Sequence, residues 1–365
     1  MSLIYYNAVV DNTWDNPLNW WTDSSYTIPY GFNPQSGDTC YIDEYIIAAT
    51  SGPYDMFTIV CGSINSSAFS VDFSPSLTFS NLAFEQNCYS VATIPSTIGS
   101  INFYNSSSNQ GTVNANPNFL DSSYNSGTVN NSLTEFHNSS YNTGIINGDA
   151  YFHDTSSMQG GSVTGIAQFG TPSGSDNSWY GAGSISGIVI FYSNSYIING
   201  ATFAYNTTLY DQSVNNGAIT GDVIFYNLSS NGGTGTINGA CTFHNTSSNY
   251  GSISSGIFYN TSFNNGLITT ASPVSEFHDI SYNAPGGSFS DGDFYDTSHN
   301  EGVCTSIATF KNIGTAQLGY ALSYSLPANS VASTDGTAGT DGVGNYSAKF
   351  TVVKAAVDIL GTGLL

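Results

Sequence analysis

The stretch Phe243 to Ile253 reads FHNTSSNYGSI, and near-copies stand at Phe136 to Ile146 (FHNSSYNTGII) and Phe258 to Ile268 (FYNTSFNNGLI). Internal repetition constrains a fold more than any composition does, because each unit must offer the next the surface it receives from the one before. Phenylalanines fall at Phe103, Phe119, Phe136, Phe152, Phe169, Phe191, Phe203, Phe225, Phe243, Phe258, Phe277, Phe294 and Phe310, roughly 17 residues apart. Nine copies, those of Phe103, Phe119, Phe136, Phe152, Phe225, Phe243, Phe258, Phe277 and Phe294, share one template. Two residues after Phe stands Asn or Asp, four after it Ser, and six after it Asn, except at Met158. Gly follows near the eighth place and Val or Ile near the tenth, as in Gly111 with Val113 and Gly251 with Ile253.

So short a period excludes helical-hairpin repeats, and helix formers are scarce where Gly, Asn and Ser abound. Short strands joined by tight turns fit it, so the sequence predicts an all-β, elongated, single-chain parallel β-solenoid. Alternate residues of a strand share a face, which places Phe, the Asn or Asp two residues on and the Ser four residues on together in the interior. Like residues then stack from coil to coil at about 4.8 Å. The predicted ladders are the nine phenylalanines and the asparagines Asn109, Asn125, Asn142, Asn249, Asn264, Asn283 and Asn300, whose amides bond along the axis.

The spacing divides the chain into residues 1–62, an N-terminal cap with the first coils; 63–312, the repetitive solenoid; and 313–365, a linker with an apolar segment. Phe169 to Phe191 to Phe203 reads as two coils sharing a surplus, TPSGSDNSWYGAG, taken as a surface loop presenting Asp176, Trp179 and Tyr180 for binding. A second expanded coil runs from Phe203 to Phe225 on this reading. The linker ANSVASTDGTAGTDGVGNYS is followed by AKFTVVKAAVDILGTGLL, residues 348–365, whose apolar run is expected to attach the chain to a partner or close the solenoid.

Charge narrows the functions. There are 25 acidic residues against three lysines, the first of them Lys311, so the first 310 residues offer no permanent cation. Nucleic-acid binding depends on Lys and Arg displacing counterions, and is not expected. The opening MSLIYYNAVV has neither the basic nor the apolar part of a secretory signal, and no apolar run is long enough to span a membrane. Synthesis in a cytoplasm without export by such a signal is the expectation. Five scattered cysteines, Cys40, Cys61, Cys88, Cys241 and Cys304, read as small buried hydrophobes.

The N-terminal residues Trp14, Pro17, Asn19, Trp20 and Trp21, then GDTCYID, resemble the opening of bacterial and viral β-solenoid surface proteins. Taken with the repeat, the chain resembles the parallel β-solenoid fibres and spikes of virus particles, such as phage tail fibres and surface proteins of large DNA viruses. That resemblance implies attachment or capsid decoration at the virion surface, contact with other virion proteins or a host-surface glycan, and homo-oligomers, often trimers. Exported adhesins and surface-layer proteins share such repeats and are the extracellular alternative; a polysaccharide depolymerase is another.

Candidate chemistry is sparse, and no cofactor, metal or catalytic residue is assigned. His137, His153, His244 and His278 occupy the place after the repeat Phe that Tyr104, Tyr192, Tyr226, Tyr259 and Tyr295 hold elsewhere, so the position reads as a surface aromatic slot. Glu135 and Glu276 form E-F-H units with His137 and His278, the geometry of a general acid/base pair, but read more simply as solvated pairs. Asp279 and Asp296 lie on consecutive coils like the carboxylates of a retaining glycosidase, yet most copies carry Asn there, which favours a ladder. Solenoid lyases also need cations for acidic sugars. Calcium would suit so acidic a chain, but Asp149, Asp222 and Asp293 form no contiguous loop pattern. The sequons at Asn105, Asn138, Asn206, Asn227, Asn245 and Asn260 follow from the template rather than from glycosylation.

Overall fold

The computed structural model of the chain describes residues 93–311 apart from 173, 205 and 271, together with 3–6, 20–22, 29, 31–32, 39–42, 58–61, 68–69, 81–85, 88–91, 315–325 and 331–333. Trp14, Pro17, Asn19 and the apolar segment 348–365 lie outside them. Every regular element among the described residues is a β-strand. The strands wind as a parallel β-solenoid in which a coil contributes three short strands separated by turns. Two units divide the chain, Met1–Thr171 with Ser175–Ile188 and Pro172–Gly174 with Val189–Leu365.

In the first unit, Ser100–Phe103, Pro117–Phe119, Leu133–Phe136, Asp149–Phe152 and Ala167–Phe169 pair in parallel with their phenylalanines aligned. The same column reaches back through Asn81–Phe84, Thr58–Cys61 and Thr39–Ile42 to Leu3–Tyr6. Trp20–Trp21 adds an antiparallel partner to Tyr5–Tyr6. A second column carries Ser108–Asn109, Tyr124–Asn125, Tyr141–Asn142, Ser157–Met158 and Trp179–Tyr180. The third, ending in the template Val or Ile, forms a six-stranded sheet of its own.

The second unit repeats this plan with Phe191, Leu209, Phe225, Phe243, Phe258, Phe277, Phe294 and Phe310 in one register. Phe203 is not a member. Thr202–Phe203 is a third-column strand with Phe203 opposite Ile219, and Leu209 fills the ladder place. The expected coil from Phe203 to Phe225 is therefore replaced by coils running Phe191 to Leu209 to Phe225. The aromatic residue alone could not mark the register, because any large apolar side chain fills that place. Parallel pairing continues past residue 312, through Thr315–Ser325 and Val331–Ser333.

Three ladders hold the interior. Phenylalanine rings stack at 4.6–4.9 Å from Phe84 to Phe169 and at 4.6–4.8 Å from Phe225 to Phe294. The Asn six residues on is buried, and each Nδ2 donates to Oδ1 of the next: Asn109 to Asn125 to Asn142, each at 2.8 Å, in the first unit. In the second unit the donors Asn215, Asn231, Asn249, Asn264 and Asn283 follow one another at 2.7–2.8 Å, and Asn300 ends the run as the last acceptor. The same side chains turn the backbone, as Asn109 Oδ1 accepts from Gly111 N at 3.1 Å. Burying an amide is costly unless its groups are paired, and here the neighbouring coil supplies the partner. The template Ser is buried too, and several donate to the carbonyl of the preceding coil's ladder residue, such as Ser262 to Phe243 O at 3.2 Å. Gly at the eighth place is a packing requirement, since a Cβ on Gly251 would lie 2.2 Å from Gly235 O.

The Asn or Asp two residues after Phe does not point inward as expected. At Asn105, Asp121, Asn138, Asp154, Asn227, Asn245, Asn260, Asp279 and Asp296 the backbone is left-handed, with φ between 54° and 61°. The strand has ended, so alternation no longer applies; Asn and Asp tolerate this conformation best among residues with a Cβ. The side chains of Asp121, Asn138, Asp154, Asn245, Asn260, Asp279 and Asp296 then accept from the backbone N–H of the coil before, as Asn138 N to Asp154 Oδ2 at 2.9 Å and Asn260 N to Asp279 Oδ2 at 2.8 Å. This outer ladder explains why Asn and Asp exchange freely, because only an acceptor oxygen is needed.

Candidate functional site

With the interior occupied by ladders, chemistry is left to outward side chains. The residue after the ladder Phe forms an aromatic column. In the first unit His137 and His153 stack at 4.6 Å. In the second, Tyr192, Tyr210, Tyr226, His244, Tyr259, His278 and Tyr295 stack successively at 4.4–5.1 Å. Ring faces are spent on one another, so solvent meets ring edges, phenolic hydroxyls and imidazole nitrogens. A shorter outer column stacks Phe263, Tyr282 and His299 at 5.3 and 5.1 Å, with Tyr250 edge-on to Phe263.

Each E-F-H unit does bring its side chains together: His137 Nε2 lies 3.4 Å from a Glu135 oxygen, and His278 Nε2 lies 2.9 Å from Glu276. His299 with Glu301, at 3.3 Å, is a third such pair that the Phe-centred reading missed. Burial lowers the imidazole pKa of His244 from 6.5, and burial with the neighbouring His137 lowers that of His153. Asp279 and Asp296 serve the outer ladder, Asp296 accepting from Asp279 N at 3.3 Å. Among the described residues, no three His, Cys, Asp or Glu side chains gather as a metal site, and no helix is long and apolar enough to cross a membrane.

The expected protruding loop is smaller than the surplus sequence implied. Asp176 takes the outer-ladder role, accepting from Asp154 N at 2.9 Å and from Thr171 N and Oγ1 at 2.7 Å. Trp179–Tyr180 returns to the second column opposite Ser157–Met158. Trp179 is half-buried, and Tyr180 is fully buried in the place of a ladder Asn. Its hydroxyl donates to Gly183 O at 2.8 Å and burial pushes its pKa up to about 12. Tyr180 therefore cannot stack on a ligand from a loop. Met158 before it signals the change, because an apolar ladder place accepts a ring above it where an amide would lose its partner. The template sequons show the same economy: Ser107, Ser140, Ser229, Ser247 and Ser262 are buried, although their Asn residues are exposed.

No protein-family model matches the chain, and no curated protein or solved structure is detectably similar to it.

Proposed function

We propose that the chain is a structural or attachment component of a virus particle, a fibre, spike or capsid-surface protein whose neutral-polar, aromatic-dotted outer face contacts glycan or protein. The observation that carries this reading is the division of labour across the coil wall. Buried ladders fix the scaffold, and ring edges repeat outside it over seven successive coils of the second unit, a surface suited to many weak contacts rather than one cleft. The partners on this reading are other particle proteins, further copies of the chain in a homo-oligomer, with a trimer favoured, and a host-surface glycan. Labelling of intact particles with an antibody to the solenoid, viewed by electron microscopy, is expected to decorate their exterior. Label confined to a cell envelope, or release of reducing ends from polysaccharide by the pure protein, would replace this reading with a surface-layer protein or a depolymerase.

A further inference from the structure

The residue before each ladder position in the second unit forms another outward column, and over five coils it is uncharged: Ile190, Thr208, Ile224, Thr242 and Ile257 lie in one parallel register. Beside it, on the same face and two residues along each coil, stand Tyr192, Tyr210, Tyr226, His244 and Tyr259, stacked at 4.9, 5.0, 4.9 and 5.1 Å. Both columns are half-buried, with Ile224 reaching 36% exposure. The register then brings in Glu276 and Asp293, which end the uncharged strip. The equivalent first-unit places, Asn102, Asn118, Glu135, Tyr151 and Gln168, make no such strip.

We infer that this strip binds a neutral glycan of equatorially linked pyranose residues, extended along the column with one sugar residue to a coil. The inference rests on the attachment reading above and names the ligand class and its place. A pyranose ribbon has an apolar C–H face and a hydroxyl-bearing edge, matching the aliphatic column and the hydrogen-bonding ring edges beside it. It advances about one ring length per residue, close to the roughly 4.8 Å between strands, whereas an extended polypeptide advances about 3.3 Å per residue and falls out of step. Acidic sugars are disfavoured by 25 acidic residues against three lysines. The rings offer neutral donors and acceptors, and burial moves the Tyr210 pKa up and the His244 pKa down, both away from the charged form.

The test titrates the full chain with neutral β-1,4-linked oligosaccharides of rising length. Affinity is expected to climb to about five residues and then level, as successive contacts share one binding event. Tyr210→Phe with Tyr226→Phe keeps the ring stack and removes two hydroxyls, and should weaken the longest oligomer about fivefold per hydroxyl. Ile224→Asp should abolish binding, while His137→Phe in the first unit should leave it unchanged. Affinity that does not depend on length, or an Ile224→Asp variant that binds as the parent does, would overturn the inference. Particle labelling is read independently, so this site can fail while the attachment reading stands.

Discussion

At the residue scale, neighbouring places in the template carry very different energetic weight. Phe243 is buried between Phe225 and Phe258, each ring 4.6 Å away, so Phe243→Ala should cost about 3–5 kcal/mol as a core truncation. His244, one residue on, stacks between Tyr226 and Tyr259 at the surface, and His244→Tyr should change little. Chemical denaturation of both variants checks the facing; equal losses would refute it. The outer ladder makes a different demand. Asn260 has φ 59° and its Oδ1 accepts from Asn245 N at 3.0 Å. Asn260→Ala loses the acceptor and strains the backbone, for about 1–3 kcal/mol together, whereas Asn260→Gly should cost less because glycine enters that region freely.

At the scale of the element, a coil is nearly interchangeable with its neighbours, because its three strands and three ladders end where the next begin. Excision of residues 246–260 joins Asn245 directly to Thr261 in place of Asn260, which holds the same register with the same outer-ladder geometry. The shortened chain is expected to fold, with Asn231 donating to Asn264 where it now donates to Asn249. Strand content by circular dichroism and a cooperative unfolding transition check this outcome. Loss of the transition would mean that the coil carries something its neighbours cannot supply. Excision across Trp179–Tyr180 should be tolerated less well, since Tyr180 and Met158 form a matched apolar interruption of the Asn ladder.

For the whole molecule, charge and protonation set the expected behaviour. With a formal net charge of −22 the folded chain repels itself, so added salt should raise its denaturation midpoint. His153 and His244 have pKa values lowered on folding, so the unfolded chain binds protons first as the pH falls. Their contribution is complete well above the ordinary value of 6.5 and is lost as the pH falls through 6.5 towards the lower folded values. A variant carrying His153→Phe and His244→Tyr should show a flatter stability profile between about pH 7 and pH 5. An unchanged profile would assign the dependence to other groups. Deletion of residues 348–365 should leave the strand signal intact and reduce the assembled state seen by sedimentation, if that apolar segment is the attachment end. Unchanged sedimentation would remove it from that role.

Repetition by itself determined the parallel solenoid, because identical side chains at a fixed short interval can all be buried only by stacking like on like. The interior phenylalanines, the Asn six residues on and the outward His and Tyr were legible for that reason. Tertiary structure alone decided three other matters. Phe203 and Leu209 could not be told apart as ladder members, since register depends on strand pairing rather than on which apolar residue occurs. The Asn and Asp after Phe read as a strand face until the chain turned left-handed, a conformation that alternation cannot foresee. Trp179 and Tyr180 looked like a loop because their neighbours are glycine-rich, yet pairing with Ser157 and Met158 drew them into the wall. The uncharged strip beside the tyrosine column was likewise invisible, because its members alternate Ile and Thr and acquire meaning only when five coils lie in one register. In each case the deciding contact lies a whole coil away along the chain, where local sequence carries no information about what it will touch.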